Sequence, residues 1–361
     1  MSAGKVLEVF YHRAIVWGIC VLLAVGIFSD GELNAAAKVP DRWERAGVYA
    51  LQNGGVGILV SRGGEILYED YARPEGGNGI YNVQSITKAV WVTLLLRLAS
   101  EKRIDLDVPS SRYVTEWRND PKKRGILIKQ HLRMESGMAS GASTLYRSGV
   151  PSLGAASMKV EMLCPAGERF IYGPANYEFA GEVMRRALGG ISGEQVAECL
   201  RRELFRPMGI QHFDYQSDLQ GRPYLSASLC LGMRDLEKLG RLWMQQGKWD
   251  GRRLVDARLM QEAVASSHAN AAFGMGVWLN RNAKKRGAIE GDPEEWLSKR
   301  PSAQEWERFC FYRGAPAEML VFVGSRGQRV YIVPEQKLVI VRIGTGNGFS
   351  DREFLKRIFG K

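Results

Sequence analysis

The chain predicts a protein of the α/β (α+β) class, with one sheet assembled from both ends of the sequence and a large, mostly helical insertion between them. Two β-patterned segments lie near its start and three near its end, while the text between reads as helical segments broken by Gly/Pro loops. At 361 residues, 45% hydrophobic and 25% charged, it can bury one large domain or two intimate subdomains, and its composition excludes disorder as a theme.

The N-terminus reads as an export signal. A weakly basic start (Lys5, Arg13) precedes an apolar stretch over 14–28 and a polar spacer ending in Ala35-Ala36-Ala37. Cleavage after Ala37 would leave residues 38–361 as the working domain. The alternative is an uncleaved anchor that touches the membrane through residues 14–28. Cys20 lacks the small residues that a lipoprotein site places before it. Either way the expected location is outside the cytoplasm, whether periplasmic, extracellular or held at the inner membrane.

A short helix is expected over 41–51. Strands at 56–60 and 65–71 then flank a Ser-Arg-Gly-Gly turn, which makes them a hairpin. From residue 85 to about 243 the pattern is mostly helical, with segments at 177–188, 193–204 and 233–246. The last of these puts Leu236, Leu239, Leu242 and Trp243 on one face. Strands return at 319–323, 329–333 and 338–343, and a helix at 350–359 ends the chain. Residues 280–316 stand apart, rich in charge and carrying Trp296 and Trp306. They read as a charged surface insertion, either a lid or a solvated decoration.

The net charge of +11 suits anionic partners, but the basic residues are scattered and no nucleic-acid motif accompanies them. A solvated basic surface is the reading, with no nucleic-acid partner. Beyond the N-terminal segment the cysteines are Cys164, Cys199, Cys230 and Cys310. They could form up to two disulfides or remain buried thiols, and their spacing matches no metal motif.

The chemistry centres on Ser85-Ile86-Thr87-Lys88, which leads into the uncharged run 89–96. On a helix beginning near the serine, Ser85 and Lys88 share a face at i and i+3. A hydroxyl becomes a nucleophile when a neighbouring base takes its proton, and a desolvated lysine can be that base. The helix N-terminus adds N–H donors for an oxyanion. The plain alternative is a helix-capping serine, because S-x-x-K arises roughly once by chance in a chain of this size. A second copy, Ser2-Ala3-Gly4-Lys5, carries no such context.

Four ordered landmarks lift the motif above chance. They are Ser85-Ile86-Thr87-Lys88 with the acidic turn Asp105-Leu106-Asp107, the segment from Ile128 to Ser136-Gly137, Pro165-Ala166-Gly167-Glu168-Arg169-Phe170-Ile171-Tyr172, and Gly327-Gln328-Arg329-Val330-Tyr331-Ile332-Val333-Pro334. Over roughly residues 45–360 the chain resembles the serine β-lactamase and penicillin-binding-protein superfamily. Its branch includes class C β-lactamases, D-amino-acid peptidases, esterases and 6-aminohexanoate-oligomer hydrolases. The resemblance implies a three-layer β-lactamase/transpeptidase-like fold with an antiparallel sheet flanked by helices. It also implies roles: Ser85 as the acylated nucleophile, Lys88 as its proton partner and Tyr172 as the second member of the base pair. Backbone N–H groups of Ser85 and Gln328 would form the oxyanion hole.

Two departures stand out. The family's second motif, Tyr-x-Asn or Tyr-x-Ser, is here Tyr172-Gly173-Pro174, so an amide is missing; Asn176 is either its substitute or a helix cap. The third motif, usually Lys-Thr-Gly or His-x-Gly, is read as Ser325-Arg326-Gly327, with the cation shifted by one residue. Arg326 then either holds a substrate carboxylate or lies on the surface.

These features predict a serine hydrolase for a small ester, amide or peptide, monomeric and without metal or organic cofactor, with an esterase or small-amide hydrolase foremost. A wall D-amino-acid peptidase or a β-lactamase comes next. The rival of another class is an exported binding protein that keeps the fold with little turnover. No G-x-S-x-G elbow is present, and His131, His212 and His268 lack zinc spacing. Gly344-Thr345-Gly346-Asn347-Gly348 reads as a turn rather than a phosphate loop.

Overall fold

Helix α1 (Arg42–Gln52) begins where the Asp41 side chain accepts hydrogen bonds from the N–H groups of Trp43 and Glu44. It buries Trp43, Ala46, Gly47 and Ala50, a helical stripe that needs a sheet to cover it. The computed structural model describes residues 41–147, 149–346 and 348–360. The expected export signal or anchor at 1–37 lies outside them.

Next in order come β1 (Gly55–Arg62), β2 (Glu65–Tyr71), β3 (Ile80–Asn82), α2 (Thr87–Ser100), α3 (Ala175–Ala187), β4 (Asp214–Tyr215), β5 (Leu229–Gly232) and α4 (Met233–Met244). The chain finishes with β6 (Trp278–Leu279), β7 (Leu320–Gly324), β8 (Gln328–Val333), β9 (Leu338–Gly344) and α5 (Asp351–Phe359). Six strands form one antiparallel sheet in the order β2-β1-β9-β8-β7-β6. The two ends of the sequence meet at its centre, where Leu59 of β1 faces Val341 of β9. Strands β8 and β9 are buried along their whole length, as a sheet covered on both faces requires.

One face is closed by α4. Gly240 approaches so closely that a Cβ there would lie 2.7 Å from Val339 and 3.2 Å from Val330. On the other face Arg329 and Tyr331 reach Asp351 of α5, and Arg342 caps the end of α1 by donating to the carbonyls of Ala50 and Asn53. Arg329 and Asp351 are both almost fully buried and are joined by three N–H···O contacts of 2.8–3.1 Å. Helices thus lie on both faces of an antiparallel sheet, as expected for a β-lactamase/transpeptidase-like fold.

The insertion packs its own core around α2, whose residues from Thr87 to Leu96 are all buried. It also carries a small sheet, β3-β5-β4, which the helical pattern did not foretell. Short strands of three, two and four residues leave too little periodicity to read.

Residues 280–316 depart from the expectation of a surface insertion or lid. Trp296, Trp306 and Phe309 are buried with Trp278 of β6, their ring centroids 5.1–5.9 Å apart. Asn280 and Asn282 are fully buried and bond the backbone of this same segment. Glu294 pairs with Arg329, and Asp292 accepts the N–H of Asp351 at 2.7 Å. The charges that suggested a decoration sit on the outside of an aromatic wedge anchored into the sheet. Cys164, Cys199, Cys230 and Cys310 are free thiols, and among the described residues no helix is long and apolar enough to cross a membrane.

Candidate active site

The turn before α2 is built to expose one hydroxyl. Asn82 accepts the N–H of Gln84 at 2.8 Å, and Gln84 takes a left-handed φ of +52°, an unfavourable conformation for a residue with a side chain. A single 3-10 turn, Gln84–Ile86, follows before α2 begins at Thr87. Thr87 accepts the N–H of Leu229 at 3.1 Å, which ties the turn to β5. Ser85 is left half-buried while Ile86, Thr87 and Lys88 disappear into the core.

Lys88 reaches back one turn, and its Nζ donates to Ser85 Oγ at 2.9 Å. Its second acceptor is the carbonyl of Ser226 at 2.5 Å. Burial of the ammonium lowers its pKa to about 7, against the opposing pull of the Glu178 charge. A large fraction of this lysine is therefore neutral at physiological pH. Tyr172 lies on the other side of Lys88, its ring centroid 5.0 Å from Nζ. Phe170, Phe273 and Trp278 surround that ring at 6.2–6.3 Å. Burial raises the phenol well above its ordinary range, while the neighbouring Ser85 hydroxyl and Arg329 draw it down. Tyr172, distant in sequence, is thus brought to the Ser85–Lys88 pair.

The β7–β8 hairpin closes one side. A Cβ on Gly324 would lie 2.5 Å from the Val83 carbonyl and 3.1 Å from the Gln84 side chain, so only glycine lets the strand end come this near. Ser325 Oγ donates to Gln84 Oε1 at 3.2 Å. Arg326 and Gly327 form the turn, with φ of +64° and +75°. The exposed Arg326 has no ion pair among the described residues. Gln328 opens β8. Its buried amide donates to the Gly344 carbonyl at 2.7 Å and accepts the Gly344 N–H at 2.9 Å, which pins β8 to β9, and its backbone lies in the ladder opposite Gly324. Ser325 lies against the Ser85 turn through Gln84, and the Gln328 amide reaches the Asn82 carbonyl of the same turn at 3.5 Å.

The family model described as Beta-lactamase matches residues 40–358. The chain belongs to the β-lactamase family. Solved structures of similar fold include a penicillin-binding-protein homologue from Caulobacter crescentus, 18% identical, with a TM-score of 0.62 over 89% of this chain and 96% of that one. A D-stereospecific amidohydrolase from Streptomyces sp. is 16% identical, with a TM-score of 0.63 over 89% and 99%. EstCE1, a hydrolase with promiscuous acyltransferase activity, is 14% identical, with a TM-score of 0.65 over 88% and 98%. No curated protein matches the chain in sequence.

The segment after Tyr172 has no amide side chain at Gly173 or Pro174. Gly173 passes so close to Ser140 that a Cβ would lie 2.2 Å from its Oγ, and Pro174 caps α3 without any side-chain hydrogen bond. Asn176 neither replaces the missing amide nor caps the helix. It is 1% exposed, accepts from Ser136 Oγ at 2.6 Å and meets His131 Nδ1 at 3.2 Å, so it braces the Ser136-Gly137 turn from within. Two residues that sequence reasoning missed stand behind Lys88. Glu178, one turn along α3 from Pro174, accepts from the N–H and Oγ of Ser226 at 3.0 and 2.5 Å. The clue in the sequence was an acid between two aromatic residues, Tyr177 and Phe179. Among the described residues no three His, Cys, Asp or Glu side chains group as a metal site.

Proposed function

We propose that this member of the β-lactamase family is a serine hydrolase that forms an acyl-enzyme on Ser85, with esters or small amides as substrates. The observation that carries the reading is the contact of Lys88 Nζ with Ser85 Oγ at 2.9 Å, made by a lysine whose pKa is lowered to about 7. A neutral Lys88 accepts the Ser85 proton as Oγ attacks the carbonyl. The N–H groups of Ser85 and Ser325 are the donors for the tetrahedral oxyanion. Tyr172 stays protonated throughout this range, since burial raises its phenol, and it passes a proton to the leaving group while Lys88 replenishes it. Water then attacks the acyl-enzyme with Lys88 again as base.

Esters and small amides are favoured over wall peptides and β-lactams because Pro174 offers no side-chain amide and Arg326 sits on an exposed turn. The first of these departures also favours the rival reading, an exported binding protein with little turnover. The N-terminal pattern supports export in either case. Hydrolysis of a p-nitrophenyl ester by the purified protein, with Ser85→Ala alongside, separates the two. Activity that disappears with Ser85 supports the hydrolase. Activity absent from both proteins, or equal in both, gives the binding protein the lead.

A further inference from the structure

We propose that Glu178 is a positioning residue, which fixes the place and the charge state of Lys88 through Ser226. Its catalytic meaning rests on the reading of Ser85 as nucleophile, but the coupling itself does not.

Three donors converge on this carboxylate. The N–H and Oγ of Ser226 reach Oε1 at 3.0 and 2.5 Å, and the N–H of Leu225 reaches Oε2 at 3.3 Å. Two of the three are backbone N–H groups, which can only donate; burial raises the Glu178 carboxyl above its usual range, and these donors and the Lys88 charge pull it back toward the ionised form. The carbonyl of the same Ser226 takes the Lys88 hydrogen bond at 2.5 Å. Glu178, Ser226 and Lys88 are 4%, 0% and 2% exposed, so the charges interact with little screening by water. Tyr146 and Tyr224 also feel Glu178, and Arg185 and Arg222 line a cavity beside it but are paired with Glu182, which leaves Lys88 as its opposite charge.

Residues 174 and 178 are one turn apart on α3 and share a face. Position 174 is a proline and offers Lys88 nothing. An acid one turn further along holds the lysine instead, indirectly, by clamping the peptide to which it bonds. The same charge counters part of the desolvation that burial imposes on the ammonium. Without it Lys88 would be a weaker base and Ser226 would lose its anchor.

The test is a titration of Lys88 in the full-length chain by ¹³C NMR of labelled lysine Cε, assigned by the signal lost in Lys88→Met. It is read together with the pH dependence of kcat/KM for a p-nitrophenyl ester. In folded Glu178→Gln the Lys88 midpoint should fall by about one pH unit or more, as loss of a close opposite charge requires, and the rising limb of kcat/KM should fall with it. A folded Glu178→Gln with both midpoints unmoved overturns the proposal. Should Glu178→Gln fail to fold, reciprocity supplies the second reading: in Lys88→Met the labelled Glu178 carboxyl must titrate higher than in the wild type, and an unchanged midpoint overturns the proposal. A moving Lys88 without Ser85-dependent hydrolysis supports the coupling and removes the hydrolase reading. Hydrolysis with an unmoved Lys88 does the reverse.

Discussion

Lys88 Nζ donates to Ser85 Oγ at 2.9 Å, from one helical turn further into the protein and almost out of contact with water. Only the neutral amine can take the serine proton. The reading therefore predicts that kcat/KM rises with pH through a midpoint near 7, the value to which burial lowers this lysine. Lys88→Ala should lower kcat/KM by about 10³-fold or more, because nucleophile and base act as a unit. Lys88→Arg should be as poor, since a guanidinium does not give up its proton. A pH–rate series on the three proteins checks all of this.

Tyr172→Phe isolates the phenolic proton. The ring keeps its neighbours Phe170, Phe273 and Trp278, so the melting temperature should change little. Hydrolysis of a simple amide, whose leaving group needs a proton, should fall by about 10²–10⁴-fold. Hydrolysis of a p-nitrophenyl ester should fall far less, because that leaving group departs as an anion. The ratio of the two losses is the measurement.

Gly324→Ala tests the close approach of the hairpin to the Ser85 turn. The new methyl would meet the Val83 carbonyl at 2.5 Å, and backbone must move to admit it. A displacement of the order of 1 Å at Ser325 should cost about 10²-fold in kcat. KM should change less, and circular dichroism should report an intact fold.

His131 makes the fold sensitive to acid. It is fully buried, and desolvation lowers its pKa to about 3 from 6.5, with the Asn176 hydrogen bond pulling the other way. Between these values the unfolded chain binds a proton that the folded one does not. Stability gained from neutral His131 is thus present above pH 6.5 and lost as pH falls toward 3, an effect of roughly 3–5 kcal/mol in full. Urea midpoints at pH 7 and pH 4 should differ more in the wild type than in His131→Phe, whose ring takes up no proton.

The elements with local periodicity were legible in the sequence. The expected strands at 65–71 and 338–343 correspond to Glu65–Tyr71 and Leu338–Gly344, and the expected helix at 350–359 to Asp351–Phe359. So was the Ser85–Lys88 pair, because three residues on one helix fix a distance before any tertiary structure is known. Ser226 and Glu178 were not. Ser226 meets Lys88 across 138 residues and Glu178 across 48, separations that leave no pattern in the chain. Ser325 was not singled out as a donor because the turn at Ser325, Arg326 and Gly327 lies between two strands, and strand alternation alone cannot count through it. The 280–316 segment misled through composition. Its charges were visible, whereas the packing of Trp296 and Trp306 against Trp278 depends on a two-residue strand too short to recognise.

The central claim is that Ser85 is the group acylated, and covalent labelling tests it most directly. The full-length protein would be treated with a fluorophosphonate at pH 8, digested, and its peptides mapped by mass spectrometry. The account predicts one modified residue, Ser85, with the label absent from Ser85→Ala and slowed in Lys88→Ala. A protein that hydrolyses the ester while Ser85 stays unlabelled, or that carries the label on another residue in both wild type and Ser85→Ala, would contradict it.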